Sequence, residues 1–188
     1  MTIRQSLTVR DMVFAAAGAA LMTICAWISI PLPSMVPFTL QTFGVCLTAA
    51  LLGPRTGLWS LLGYILLGAA GAPVFAGFRG GMGVLLGPTG GYVAGFLFTA
   101  LTTGLASERW GDRIGRMAVA MALGVALCYA FGTAWFMAVY ARRGGSIGLA
   151  AALGMCVVPY LVPDGLKILL AAVLAKRLRP AVRRGWRE

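Results

Sequence analysis

Apolar residues run almost unbroken from Met12 to Ile30, behind Arg10 and Asp11, and Pro31 and Pro33 close the run. The pattern returns five times more. Phe38–Leu52 follows Pro37 and is closed by Gly53-Pro54-Arg55; Gly57–Ala70, Tyr92–Ala106, Met117–Tyr140 and Ile147–Ala175 come after it, the last interrupted by Pro159 and Pro163. A helix needs about 20 residues to cross a hydrocarbon core of ~30 Å. Lipid offers a backbone no hydrogen-bond partner, so such runs are expected to be helices. The chain is therefore predicted to be an all-α membrane protein, a single membrane domain over residues 1–188 with six transmembrane helices and a basic tail at 176–188.

Gly71–Gly91, between the third and fourth runs, breaks the pattern: it reads GAPVFAGFRGGMGVLLGPTGG. It is too apolar for a solvated loop and too rich in glycine for a stable helix. Its backbone must therefore be buried against protein or a ligand. A lid over an outward-facing pocket accounts for both properties; a passive re-entrant plug is the plainer alternative. The segment lacks the GxxxxGK[ST] pattern of a phosphate loop.

Composition agrees with the spans. Of 188 residues 60% are hydrophobic and 11% charged, against about a quarter charged in soluble domains. The net charge of +11 suits either nucleic-acid binding or the positive-inside bias of a membrane protein, and the positions of the charges decide between them. With a cytoplasmic N-terminus, Arg4, Arg10, Arg55, Arg109, Arg113, Arg116 and the tail residues Lys176, Arg177, Arg179, Arg183, Arg184 and Arg187 fall inside. Arg79, Arg142 and Arg143 fall outside, and Lys167 lies within a span. This asymmetry predicts six spans, both termini in the cytoplasm and no nucleic-acid partner. The first run resembles a signal peptide, but its length and the spans behind it argue against cleavage. Cys25, Cys46, Cys128 and Cys156 each lie in an apolar run, outside any CxxC pattern, and are expected to be buried thiols. The chain has no histidine, which excludes histidine metal sites and Ser-His-Asp triads.

Few residues remain to carry chemistry. Asp164 and Lys167 lie in the sixth run, three apart and so on one helix face. At 1.5 Å per residue they sit roughly 18 and 14 Å above a cytoplasmic edge at Lys176. An ionisable residue at such depth costs about 3 kcal/mol on insertion scales. The pair is either a structural bridge between spans or a ligand site, and Pro163, which loosens the local helix, favours a cavity. Gln41, Tyr92 and Trp135 fall at the outer-leaflet side, where a belt residue or a helix–helix hydrogen bond is the plainer role. Ala15, Ala16, Ala19 and Ala20 give two small-residue pairs four apart, suited to close helix packing or to docking of another membrane subunit. A membrane-embedded enzyme has little support, with one intramembrane carboxylate and no histidine. A stand-alone carrier built from two similar halves finds no repeat between residues 1–90 and 91–188.

Five segments in order, VPFTLQTFG (36–44), GPRTG (53–57), GAPVFAG (71–77), GPTGGY (87–92) and P-x-x-x-PDGLK (159–167), resemble the BioY family, the biotin-binding S components of energy-coupling-factor (ECF) transporters. The similarity spans about residues 12–175. One departure is local: the last motif in the family more often reads P-G-D-x-x-K, whereas here Gly165 follows Asp164. The resemblance implies a six-helix S component in the bacterial cell membrane. It would bind biotin from outside, with no cofactor and no enzymatic activity, and work with a transmembrane coupling protein and two cytoplasmic ATPases. An S component for another small vitamin is the alternative. The resemblance further implies that Asp164 and Lys167 belong to the substrate site, that the glycine-rich loop, with Gly90 and Gly91, is its lid, and that the Ala15–Ala20 surface meets the coupling protein. A biotin pocket needs an aromatic wall, which Trp135, Tyr92 and Phe75 can supply, and an acceptor for ureido N–H, which Asp164 can supply. Either Lys167 or Arg79 meets the carboxylate, or Lys167 instead holds Asp164 ionised; the sequence leaves this open.

Overall fold

The computed structural model describes residues 8–32, 36–111 and 113–185; Arg4, Pro33 and Arg187, used above, lie outside the described residues. Helix α1 (Val9–Trp27) starts at a reciprocal cap, with Asp11 N donating to Thr8 Oγ1 at 3.2 Å and Thr8 N to Asp11 Oδ2 at 3.0 Å. Two of the otherwise orphaned first-turn donors are satisfied this way. The helix stops before the predicted end of the run at Ile30. Ile30 precedes Pro31, which disfavours helical geometry at the preceding residue, and Ser29–Ile30 (β1) instead pairs antiparallel with Phe38–Thr39 (β2). The predicted all-α architecture holds apart from this two-residue ladder.

Helix α2 (Gln41–Ala69) is two helices joined at Gly53, whose φ of 79° and ψ of −178° only glycine adopts readily, followed by Pro54. The chain reverses there. Gln41 Nε2 donates to Tyr64 Oη at 2.8 Å, whereas a straight helix would hold residues 23 apart roughly 35 Å from each other. The second and third apolar runs are thus the arms of an antiparallel hairpin. Both arms are shorter than a full span; the extended segment before Gln41 and the loop after Ala69 lie at the end of the hairpin away from Gly53.

Short α3 (Met82–Leu85) lies in the glycine-rich segment, and α4 (Gly90–Trp110) follows. α4 packs between α2 and α5 (Ile114–Arg142). Thr99, Thr103 and Ser107, four residues apart, are fully buried on its inner face, so α4 carries its polar side chains inward rather than to lipid. The expected sixth span is divided. α6 (Leu149–Cys156) ends at Val157, and α7 (Val158–Gly185) begins with Pro159 in its first turn, where a proline is tolerated. The break falls before Pro159; α7 continues through Pro163 and on through most of the tail expected at 176–188. Among the described residues, α1, α5 and α7 through Val182 are single helices long and apolar enough to cross a bilayer, and α2 reaches that length only as its two arms taken together. All four cysteines are free and buried. The core has an aromatic-rich half around Tyr64, Phe75, Tyr92, Phe136 and Tyr160 and an aliphatic half around Leu47, Met117, Met121 and Ile168.

Candidate functional site

The aromatic half of the core borders a cavity of about 80 Å3. The β2 segment, the start of α2, loop residues Phe75, Ala76 and Arg79, the start of α4, the middle of α5, the end of α6 and the first half of α7 all contribute to its wall. Tyr160, Asp164 and Lys167 follow one another at helical spacings of four and three, so all three reach the cavity from one face of α7.

Asp164 and Lys167 are its charged centre. Both are more than nine-tenths buried, and Lys167 Nζ lies 2.7 Å from Asp164 Oδ1. The other carboxylate oxygen accepts from Tyr129 Oη at 2.5 Å and Thr42 Oγ1 at 3.2 Å. Lys167 also donates to the Thr39 carbonyl at 2.6 Å and sits 3.9 Å from the centre of the Phe38 ring. Burying two charges is unfavourable unless each is paired and hydrogen-bonded, and four elements supply that here. An ionised carboxylate has about four acceptor positions and an ammonium three donors. Asp164 accordingly retains one acceptor position. Lys167 retains one proton that, among the described residues, has only the face of Phe38 to meet.

Of the residues singled out in the sequence, Asp164, Lys167, Tyr92, Gln41, Phe75 and Arg79 line the cavity. Gln41 is engaged on both sides, donating to Tyr64 and accepting from Thr39 Oγ1 at 3.1 Å. Tyr92 Oη is paired with Thr133 Oγ1 at 3.1 Å. Arg79 is exposed on the loop, its Nε donating to the Ala76 carbonyl at 3.3 Å. Trp135, Gly90 and Gly91 stand outside the lining. Trp135 Nε1 donates to the Gly87 carbonyl at 3.0 Å, and Gly91 lets α4 lie directly on the Trp135 side chain. Any side chain at Gly90 would run into the Leu85 carbonyl. These three residues anchor the far end of the loop. In α1, Ala19 is buried and Ala15 half-buried against the bundle, while Ala16 and Ala20 are exposed; the small-residue face is therefore divided between internal packing and the outer surface.

Sequence reasoning passed over Tyr129, Thr42, Thr39, Phe38 and Tyr160. Tyr160 shares the Asp164–Lys167 face by spacing, and Thr39 and Thr42 flank Gln41 within a quoted motif, so a signal was present for these. Tyr129 carries none; only the packing of α5 against α7 brings it to Asp164. Tyr160 Oη donates to the Val36 carbonyl at 2.5 Å and ties the segment before β2 to α7.

The glycine-rich segment is less buried than expected. Val74, Phe75 and Ala76 are buried, but Phe78, Met82 and Leu86 are exposed. Its backbone is satisfied internally: Phe75 N donates to the Arg79 carbonyl at 2.9 Å and Gly81 N to the Gly68 carbonyl at 2.6 Å. On its inner face Phe75, Ala76 and Arg79 line the cavity.

A family model described as the BioY family matches residues 1–184. The biotin transporter BioY of Thermotoga maritima is 40% identical over 170 residues, covering 90% of this chain and 96% of that protein. The biotin transporter BioY of Rhodobacter capsulatus is 35% identical over 172 residues, covering 85% and 88%. The crystal structure of the S-component for biotin from an ECF-type ABC transporter matches with a TM-score of 0.80 at 28% identity over 95% of each chain.

Proposed function

The chain belongs to the BioY family, and from that membership we propose that it is the biotin-binding S subunit of an ECF transporter, with the cavity as its biotin site. The observation that carries the site is the buried Asp164–Lys167 pair. It offers one acceptor position and one proton side by side. A cyclic urea presents the complement, an N–H donor next to a carbonyl acceptor, and a site built this way rejects ligands that lack either group. Tyr129 and Thr42 hold Asp164 in place, and the Thr39 carbonyl holds Lys167. Phe75, Phe96 and Tyr160 supply apolar and aromatic wall, which suits a thioether bicycle and its aliphatic chain. Arg79, near the exposed rim, is the cation placed for the carboxylate.

The test is equilibrium binding of radiolabelled biotin to the purified protein in lipid nanodiscs, with desthiobiotin and the biotin methyl ester as competitors. Saturable binding of one biotin per chain is expected, with the methyl ester competing less well. Failure of the wild-type protein to bind biotin would refute the assignment.

The finer features belong to the same proposal. Six crossings are supported by the antiparallel arms of α2 together with α1, α4, α5 and α7. The predominance of basic residues at one end supports cytoplasmic termini; a reporter enzyme fused to the C-terminus should be active only on the cytoplasmic side, and activity outside would reverse the orientation. The chain would act with a transmembrane coupling protein and two ATPases in the bacterial cell membrane.

Docking of the coupling protein is assigned to the exposed half of the small-residue face. Ala16→Trp and Ala20→Trp are expected to leave biotin binding intact and to weaken co-purification of a coupling subunit at least several-fold, because a bulky side chain prevents close helix approach. Ala19→Trp should instead lower the stability of the isolated protein, since it overpacks a buried position. Normal assembly of both surface variants would move the docking site elsewhere.

A further inference from the structure

Three contacts join the end of α1 to the loop that lines part of the cavity. The Trp27 indole Nε1 donates to the Pro73 carbonyl at 2.8 Å. Its ring stacks on Phe78, with centroids 5.0 Å apart and planes 28° apart. Two residues on, Ser29 Oγ accepts from Gly77 N at 3.2 Å. Phe75, Ala76 and Arg79, on the same short stretch of loop, line the cavity; Trp27, Pro73 and Phe78 do not. The loop is thus held on one side by Trp27 and faces the site on the other.

Core burial does not account for this arrangement, because Trp27 and Phe78 are 39% and 63% exposed. Among the described residues Phe78 is also the one non-glycine with positive φ, at 57°. It stands beside Gly77, φ 69°, in the tight turn that the Phe75 N–Arg79 carbonyl hydrogen bond closes, and that turn presents the Phe78 ring to Trp27. The cavity volume of about 80 Å3 is well below the roughly 300 Å3 at which small-molecule pockets begin. Part of its wall must therefore move to admit a ligand, and the loop carrying Phe75, Ala76 and Arg79 belongs to that wall.

We propose that Trp27 is a positioning residue that clasps Phe78 and Pro73, holds loop 71–81 shut, and sets how fast ligand passes the loop. It does so without touching the ligand. The proposal rests on the cavity being the biotin site. The clasp is made before ligand arrives, so loosening it speeds passage in both directions. A pocket-wall residue behaves differently: its loss raises the dissociation rate and leaves the association rate unchanged or lower.

The experiment measures association and dissociation rates of radiolabelled biotin on the full-length protein in nanodiscs. Trp27→Ala and Phe78→Ala are each expected to raise the dissociation rate about tenfold with no fall in the association rate, so that Kd changes less than either rate. Trp27→Phe, which keeps the stacking but lacks the indole N–H, should fall between wild type and Trp27→Ala. The double variant Trp27→Ala/Phe78→Ala should be little faster than either single one, because both remove the same stack. Should Trp27→Ala fail to fold, Phe78→Ala, at a more exposed position, decides alone. A dissociation rate raised less than threefold, or a lowered association rate, overturns the clasp while leaving the biotin site standing; no binding by wild type overturns the site itself.

Discussion

Asp164→Asn and Lys167→Met are each expected to lower biotin affinity roughly a hundredfold or more while leaving folded protein in the membrane. Each substitution removes one of the two groups left for the ligand and disturbs the other. Without Asp164's charge, Lys167 is a buried cation with only the Thr39 carbonyl and the Phe38 ring. Without Lys167, the carboxylate keeps its two hydroxyl donors, Tyr129 and Thr42, but no counter-charge. On binding, the unmatched ligand group is buried unsatisfied at about 1–3 kcal/mol. The unpaired partner charge adds a term of similar size, and each 1.4 kcal/mol is tenfold in affinity. A purely structural ion pair makes a different forecast. There the single variants lose stability, and Asp164→Asn/Lys167→Met recovers both stability and binding, because both buried charges leave together. Thermal unfolding and biotin affinity measured on the two singles and the double separate these cases. Folded single and double variants that all fail to bind are the expected result; unstable singles with stability and binding recovered in the double would show that the pair only braces the bundle.

Gly68→Val is expected to weaken biotin binding from about tenfold to more than a hundredfold with little change in the unfolding temperature of the ligand-free protein. Gly68 lies in the last turn of the second arm of α2, with the Phe75 ring directly against its Cα, in the space a Cβ would need. The ring cannot stay where it is beside a valine. Phe75 lines the cavity and meets Tyr64 edge-on, with centroids 5.4 Å apart and planes at 81°; Tyr64 in turn accepts from Gln41. Expelling the ring removes one wall of the site and the inner anchor of the loop. Burial of a phenylalanine side chain is worth about 1.5–3 kcal/mol, which sets the expected range. The helix bundle does not depend on this contact, so the loss should appear in affinity more than in unfolding. Phe75→Leu, which keeps an apolar side chain in the gap, should lose less. Wild-type affinity in Gly68→Val would mean that the loop closes the cavity without Phe75.

The apolar runs, their glycine and proline boundaries and the one-sided distribution of arginines were readable from the chain. Each is a one-dimensional consequence of a solvent that tolerates neither charge nor unpaired backbone. The Asp164–Lys167 pair was readable for the same reason, since ionisable residues in such a run stand out, and so was the glycine-rich loop, whose composition fits neither helix nor water. The last run was expected to be interrupted at Pro159 and Pro163; the backbone departs from helix at Val157, beside Pro159, which needs no hydrogen-bond donor in the first turn of α7, and that helix then runs on through Pro163.

Tertiary structure alone decided what each legible residue does. Trp135 had the composition of a pocket wall, yet its indole N–H is spent on the Gly87 carbonyl because α5 passes beside the end of the loop. Tyr129 reads as one aromatic among many until α5 packs on α7 and sets its hydroxyl 2.5 Å from Asp164. The alanines of α1 share one spacing, but burial divides them, Ala19 inward and Ala16 outward, according to where α2 lies. Trp27 and Phe78 are 51 positions apart and meet only because the end of α1 lies against the loop. By itself the sequence determined a membrane-spanning chain with one buried ion pair and one loop suited to neither lipid nor water, since hydropathy and charge act along the chain. Which side chains face one another across helices was left to the packing, because a hydrogen bond or a ring contact depends on a few ångströms of helix placement that no local pattern encodes.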